Sequence, residues 1–259
     1  MIKILHRFFY AWLFLTKLPA PPLPKASKED WGRIAPYFTL IGFIIGFILY
    51  FFAKLLILNK IPFMFSALLL LLLWNLITGS LHLDGLMDTF DGLGGQDKDR
   101  KLEAMKDSRS GAYGAIGGIF VILFKLIALC TILLNKLFFV IVISTVIARL
   151  VTVYSFTFLN KNKDSGISSS LLLSGVKKPG DFIVNIVFFI GGCLVISFQG
   201  VIHPALTIFF VLLCFIAAMV WAHWLDRHFK GHTGDTFGAL IELSEVTVLS
   251  LGVLLKNYL

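Results

Sequence analysis

Residues 82–114 read HLDGLMDTFDGLGGQDKDRKLEAMKDSRSGAYG, a polar stretch set between long apolar runs. It holds Asp84, Asp88, Asp91, Asp97, Asp99 and Asp107 among Lys98, Arg100, Lys101, Lys106 and Arg109. A solvated loop can have this composition, but three features set this one apart. Asp84, Asp88 and Asp91 fall at i, i+4 and i+7, a single face of an α-helix. Three like charges on one face repel, and a divalent cation is their natural compensator. Asp84 also follows directly on the run TGSLHL, near a membrane interface, where uncompensated charge is costly. Finally, Gly85, Gly92, Gly94, Gly95, Gly111 and Gly114 let backbone approach a ligand closely.

Outward from this stretch the chain is strongly apolar. Of its 259 residues 58% are hydrophobic and 15% charged, and the mean hydropathy is +0.88. Apolar runs repeatedly reach the ~20 residues that cross a bilayer. The expected fold is all-α, a polytopic integral membrane helical bundle forming one domain over residues 1–259. Residues 2–18 suit an amphipathic helix in the interface, and the Pro-rich stretch to residue 30 a linker, with no cleavable signal peptide expected. Seven spans follow at about 31–58, 63–83, 115–134, 137–159, 182–198, 204–225 and 239–255. Ser27, Glu29 and Asp30 are placed to cap the first of them.

A net charge of +8 does not call for nucleic acid, because the basic residues follow the loops. With the N-terminus in the cytoplasm, residues 1–33, 84–113, 160–181 and 226–238 carry six, five, four and two Lys or Arg, against four on the other side. This obeys the positive-inside rule. It also places two acidic motifs, 82–114 and 226–245, on one face, and all fifteen Asp and Glu lie on that side or just inside its helix ends. Cys130, Cys193 and Cys214 sit in apolar helices without disulfide or zinc spacing and serve packing.

The second motif offers Asp226, Arg227, His228, His232 and Asp235, then Glu242 and Glu245. Asp235 suits either a metal ligand or a helix N-cap. His82 is a candidate catalytic group or an interfacial histidine bonded to backbone. Arg149, deep in an apolar helix, needs an anionic partner, either the carboxylates or a substrate phosphate, and Lys125 could snorkel. Carboxylates beside Lys106 and Arg109 suit Mg²⁺ and a diphosphate, and there is no P-loop signature.

GSLHLDGLMDTFDGLGG (79–95), RKLEAMKDSRSGAYG (100–114), GHTGDTFGALIELSE (231–245) and FLTKLPAP (14–21) together closely resemble the cobalamin (5′-phosphate) synthases, or adenosylcobinamide-GDP ribazoletransferases. The loop sequence KNKDSG lacks an arginine that many relatives carry. The resemblance implies a multi-pass inner-membrane enzyme, its N-terminus and active site cytoplasmic, that joins adenosylcobinamide-GDP to α-ribazole or its 5′-phosphate with Mg²⁺ and releases GMP, and it leaves room for a homo-oligomer. On that reading Asp84, Asp88, Asp91 and Asp235 hold the metal, and Lys106, Arg109 and Arg149 neutralise phosphate oxygens. The ribazole 5′-hydroxyl attacks the cobinamide-side phosphorus, with Asp91 or His82 as base. The Asp spacing is also similar, distantly, to CDP-alcohol phosphotransferases. A membrane prenyltransferase, using Asp-rich motifs and Mg²⁺ on a diphosphate, and a cation-coupled transporter are the competing functions.

Overall fold

The computed structural model describes residues 2–107, 109–160, 179–197 and 204–259, all helices, turns and loops. The amphipathic α1 (Ile2–Leu15) turns Tyr10, Ala11 and Leu15 inward and leaves Ile2, Ile4, Leu5 and Leu13 exposed. Its Arg7 pairs with Asp30 at 3.2 Å and Glu29 at 3.3 Å, while Tyr10 donates to the Pro24 carbonyl at 2.8 Å, so the Pro-rich stretch is strapped to the helix. The Ser27–Asp30 capping box starts only one turn, α2 (Lys28–Trp31), and a 3-10 turn through Pro36 intervenes before α3 (Phe38–Leu58). The expected caps thus serve a short preceding helix rather than the span itself.

The long helices that follow are α7 (Ala112–Leu134), α8 (Phe139–Phe158), α9 (Pro179–Ser197), α10 (Pro204–His228) and α11 (Gly234–Leu254). Nearly every residue of α8 is buried, which makes it the central pillar. Helix α3 approaches it closely because Gly42 and Gly46 lie against Thr145 and Val142. A methyl group on Gly46 would sit 2.8 Å from the Val142 Cα, and the Thr145 hydroxyl donates to the Gly42 carbonyl at 2.8 Å. Small residues four apart are a common way for membrane helices to pack. Asn185 of α9, fully buried, accepts from the Thr39 amide at 2.9 Å and donates to the Ala35 carbonyl at 3.0 Å, satisfying backbone left open at the start of α3.

Outward faces of α7, α9 and α10 expose rows of large apolar side chains, among them Phe120, Phe124, Ile183, Val187, Phe209 and Ile216. So much exposed apolar surface belongs in a bilayer. Five helices among the described residues are long and apolar enough to cross it, six if one bent pair counts as a single span, rather than the seven expected; the apolar described part of α9 is shorter, Pro179–Gly192.

The bent pair is α4 (Phe63–Thr78) and α5 (Leu81–Leu93), which meet at 89°. A continuous span over 63–83 was expected because hydropathy runs on through SLHL, but the backbone stops at Gly79 and Ser80, both left-handed with φ of 63° and 55°. The Ser80 amide bonds to the Asn75 carbonyl at 3.0 Å and the Gly79 amide to Leu76 at 3.3 Å, a Schellman-type stop. Lys17, just beyond α1, braces it by donating its amide to the Ile77 carbonyl at 2.7 Å. Helix α5 therefore lies across the end of the bundle, outside the spans. Gly79→Ala should destabilise the fold by about 1–2 kcal/mol, since a β-carbon is disfavoured at that φ. Thermal unfolding in detergent measures it, and an unchanged midpoint would show that the bend is not as described.

Candidate functional site at the end of the bundle

Helix α5 is two-faced. His82, Gly85, Leu86, Thr89 and Gly92 are buried, while Asp84 is exposed and Asp88 and Asp91 are half-buried. The buried face crosses the first turns of α11 almost backbone to backbone. A methyl on Gly85 would lie 2.8 Å from the Asp235 carbonyl oxygen and 2.9 Å from its Cα, and one on Gly238 would lie 3.0 Å from the His82 carbonyl oxygen. This crossing brings the two acidic motifs together. Thr233 caps α11, its hydroxyl accepting from the Thr236 amide at 3.2 Å, so the cap role weighed for Asp235 is already filled and its carboxylate stands in the first turn, half-buried.

Electrostatics identify the members of the cluster. Burial, then the charges of Asp235, Asp84 and Asp91, push the Asp88 carboxyl up to about 6, and no cation contributes. Asp84, Asp88 and Asp235 are thus neighbouring carboxylates with no compensating positive charge among the described residues. Among the described residues no three His, Cys, Asp or Glu side chains are closed up to direct metal-ligand spacing. Asp84, Asp88 and Asp235 are the described residues that could take part in holding a hard cation, since Mg²⁺ keeps waters and needs only one or two protein carboxylates alongside phosphate oxygens.

Asp91 has a different place from the one expected. Its oxygens accept from the Gly111 and Gly114 amides at 2.7 Å each, anchoring the start of α7 to α5. Methyl groups at those glycines would lie 2.3 and 2.4 Å from the same oxygens, which is why the sequence reads SGAYG there. His82 also departs from expectation: it is buried, turned away from the open face, and its Nε2 has no hydrogen-bond partner among the described residues. Lys106 and Arg109 are both exposed, and Arg109 is spent on Asp107 at 2.8 Å, which holds that carboxyl below the usual range.

Arg149 is fully buried and ion-paired with Glu245. Lys125 does not snorkel; its ammonium lies 2.7 Å from Glu242, 2.6 Å from Glu245 and 4.8 Å from the Trp74 ring centre. The two glutamates form, with Lys125 and Arg149, a four-charge knot joining α7, α8 and α11, and the expected role of Arg149 on a substrate phosphate gives way to this pairing. Two lone cations in apolar helices and two glutamates three residues apart were the available signal, since charges in such helices must balance.

A multi-pass helical membrane protein with a carboxylate cluster at one end of its bundle is the class that this fold and site define. The cobalamin-5-phosphate synthase family model matches residues 7–253, and the chain belongs to that family. Similar proteins are named adenosylcobinamide-GDP ribazoletransferase. One from Thermoanaerobacter pseudethanolicus is 33% identical over 95% of this chain and 96% of its own length. Those from Synechococcus sp. and Clostridium tetani are 34% and 31% identical, covering 92% and 98% of both chains. No solved structure matches the chain.

Glu245→Ala strands the buried Arg149 and leaves Lys125 with Glu242 alone, and should cost about 3–5 kcal/mol. The double change Lys125→Met with Glu242→Leu removes one charge of each sign and should cost less than the sum of its two single changes. Thermal unfolding of the purified variants tests both; additive losses would dissolve the knot.

Proposed function

We propose that the chain is an adenosylcobinamide-GDP ribazoletransferase of the cytoplasmic membrane, with its site facing the cytoplasm, where the Lys and Arg bias puts this end of the bundle. The observation that carries the chemistry is the convergence of Asp84, Asp88 and Asp235, with no cation among them in the described residues. Asp84, Asp88 and Asp235 are the residues that would hold Mg²⁺, one or two of them directly, and Asp91 fastens the helix that carries the first two to the start of α7. Bound Mg²⁺ supplies charge neutralisation at the diphosphate and at the departing phosphate.

A ribose hydroxyl of the acceptor attacks the cobinamide-side phosphorus; its oxygen–phosphorus bond forms as the bond to the GMP oxygen breaks, and the hydroxyl proton is lost. An acceptor phosphorylated at O5′ has no 5′-hydroxyl, so a route common to both acceptors uses another ribose hydroxyl than the 5′ group. With His82 buried and both oxygens of Asp91 accepting from the Gly111 and Gly114 amides, the proton goes to a carboxylate of the open face, Asp84, Asp88 or Asp235. A transporter is disfavoured because the charges at mid-membrane depth pair among themselves, whereas coupling-ion sites lie near the midplane on broken helices.

Purified protein given adenosylcobinamide-GDP, α-ribazole and Mg²⁺ should form GMP and the joined corrinoid in equal amounts, read by mass analysis, and chelation should stop it. Asp84→Asn, Asp88→Asn and Asp235→Asn should each lower kcat by about 10²-fold or more, the size of a lost several-kcal/mol contribution. Pyrophosphate in place of GMP would make the protein a prenyltransferase-like enzyme, and full activity in the variants would remove the metal from this cluster.

A further inference from the structure

Helix α1 is apolar on two faces. Tyr10, Ala11 and Leu15 pack into the bundle, whereas Ile2, Leu5, Phe9 and Leu13 recur at i, i+3, i+7 and i+11, a second stripe turned the other way. Ile2 is 72% exposed, Leu5 55% and Leu13 46%. A helix this short is marginal by itself, and with so few side chains buried in protein it is lightly held. The open stripe calls for a second apolar medium.

The flank beside that stripe is basic. Lys3, Arg7 and Tyr10 fall at i, i+4 and i+7, and along this line the Pro-rich strap is fastened, by Arg7 to Glu29 and Asp30 and by Tyr10 to the Pro24 carbonyl. The strap therefore lays Lys25 and Lys28, the neighbours of Pro24 and Glu29, along the helix that carries Lys3. Glu29 and Asp30 are the two acids of residues 1–33, and both are taken by arginines, Glu29 also by Arg33 at 3.1 Å. Lys3, Lys17, Lys25 and Lys28 are exposed and have no ion-pair partner among the described residues.

A general bias of Lys and Arg toward one side of the membrane explains the sign of this segment. It does not explain an open apolar stripe bordered by lysines whose neighbouring acids are already neutralised. The short α6 (Lys98–Ala104) shows the contrast: its Lys98, Arg100 and Lys101 are balanced by Asp97, Asp99 and Glu103. A second copy of the chain packed on the stripe about a two-fold axis would bring the same unpaired lysines together, which like charge opposes. A surface that is apolar in the middle and negatively charged at its edge is the complement.

We infer that α1 and its strap form a docking surface for anionic phospholipid, the stripe from Ile2 to Leu13 entering the acyl boundary while Lys3, Lys25 and Lys28 meet the negatively charged headgroups. This does not depend on the transferase reading. Purified full-length protein is placed in nanodiscs of phosphatidylcholine alone or with about one third phosphatidylglycerol, and hydrogen exchange of the α1 amides is followed by mass spectrometry. Phosphatidylglycerol should slow that exchange by roughly tenfold, an effect that salt at about 1 M removes and that the combined Lys3→Gln, Lys25→Gln and Lys28→Gln variant loses. All three lysines are exposed, so the variant's unfolding midpoint in pure phosphatidylcholine should match that of the parent chain. Lys17 is left in place because its side chain packs across Gly79 at the α4–α5 bend. Equal exchange in the two lipids overturns the inference, as does a phosphatidylglycerol effect that survives in the variant. Slowing that instead requires two copies of the chain in one disc, in either lipid, assigns the stripe to self-association and overturns it as well.

Discussion

The site depends on one close approach, the crossing of α5 over the first turns of α11 at Gly85 and Gly238. A β-carbon at Gly85 would collide with backbone, which cannot swing aside as a flexible side chain can. Backbones at this separation leave no room for side chains between them, so the carboxylates of both helices must project toward one opening. Asp88 consequently shares a patch with Asp235, some hundred and fifty residues away in sequence, and the charge of Asp235 adds to burial in raising the affinity of Asp88 for a proton. The right-angled bend at Gly79 and Ser80 is what allows α5 to lie across the bundle end at all.

Beneath that crossing, the four-charge knot supplies orientation. Ion pairs removed from water gain little net stability, because desolvation consumes most of the attraction, but mismatched arrangements are heavily penalised. Helices α7, α8 and α11 are mostly apolar and could otherwise rotate against one another at small cost. Requiring Lys125 and Arg149 to meet Glu242 and Glu245 fixes their rotation, and with it the direction in which Asp235 faces. Asp91 does the equivalent at the surface, fastening the start of α7 to the helix that carries Asp84 and Asp88.

Much of this was legible in the residues. The i, i+4, i+7 spacing of Asp84, Asp88 and Asp91 gave a helical face, and loop charges brought motifs 82–114 and 226–245 to one end of the bundle. The bend was not legible, since Leu81, His82 and Leu83 continue the apolar run and only backbone angles mark the break. The duty of Asp91 was hidden for a related reason: its partners are amides, which carry no sequence label. Arg149 was correctly seen to need an anion. Which anion it took depended on how α11 faces α7 and α8, a relation between residues 96 and 120 positions apart.

The separation of the knot's members along the chain has a consequence for biogenesis. Lys125 and Arg149 precede Glu245 by 120 and 96 residues. Emerging from the ribosome, α7 and α8 enter the lipid as unneutralised segments, each lone cation carrying an insertion penalty of about 2.5–3.5 kcal/mol. Only when α11 is threaded in do these two cations meet their carboxylate partners. Locking of the bundle therefore waits on the arrival of α11, and a nascent chain halted before it would keep Lys125 and Arg149 unpaired in the membrane.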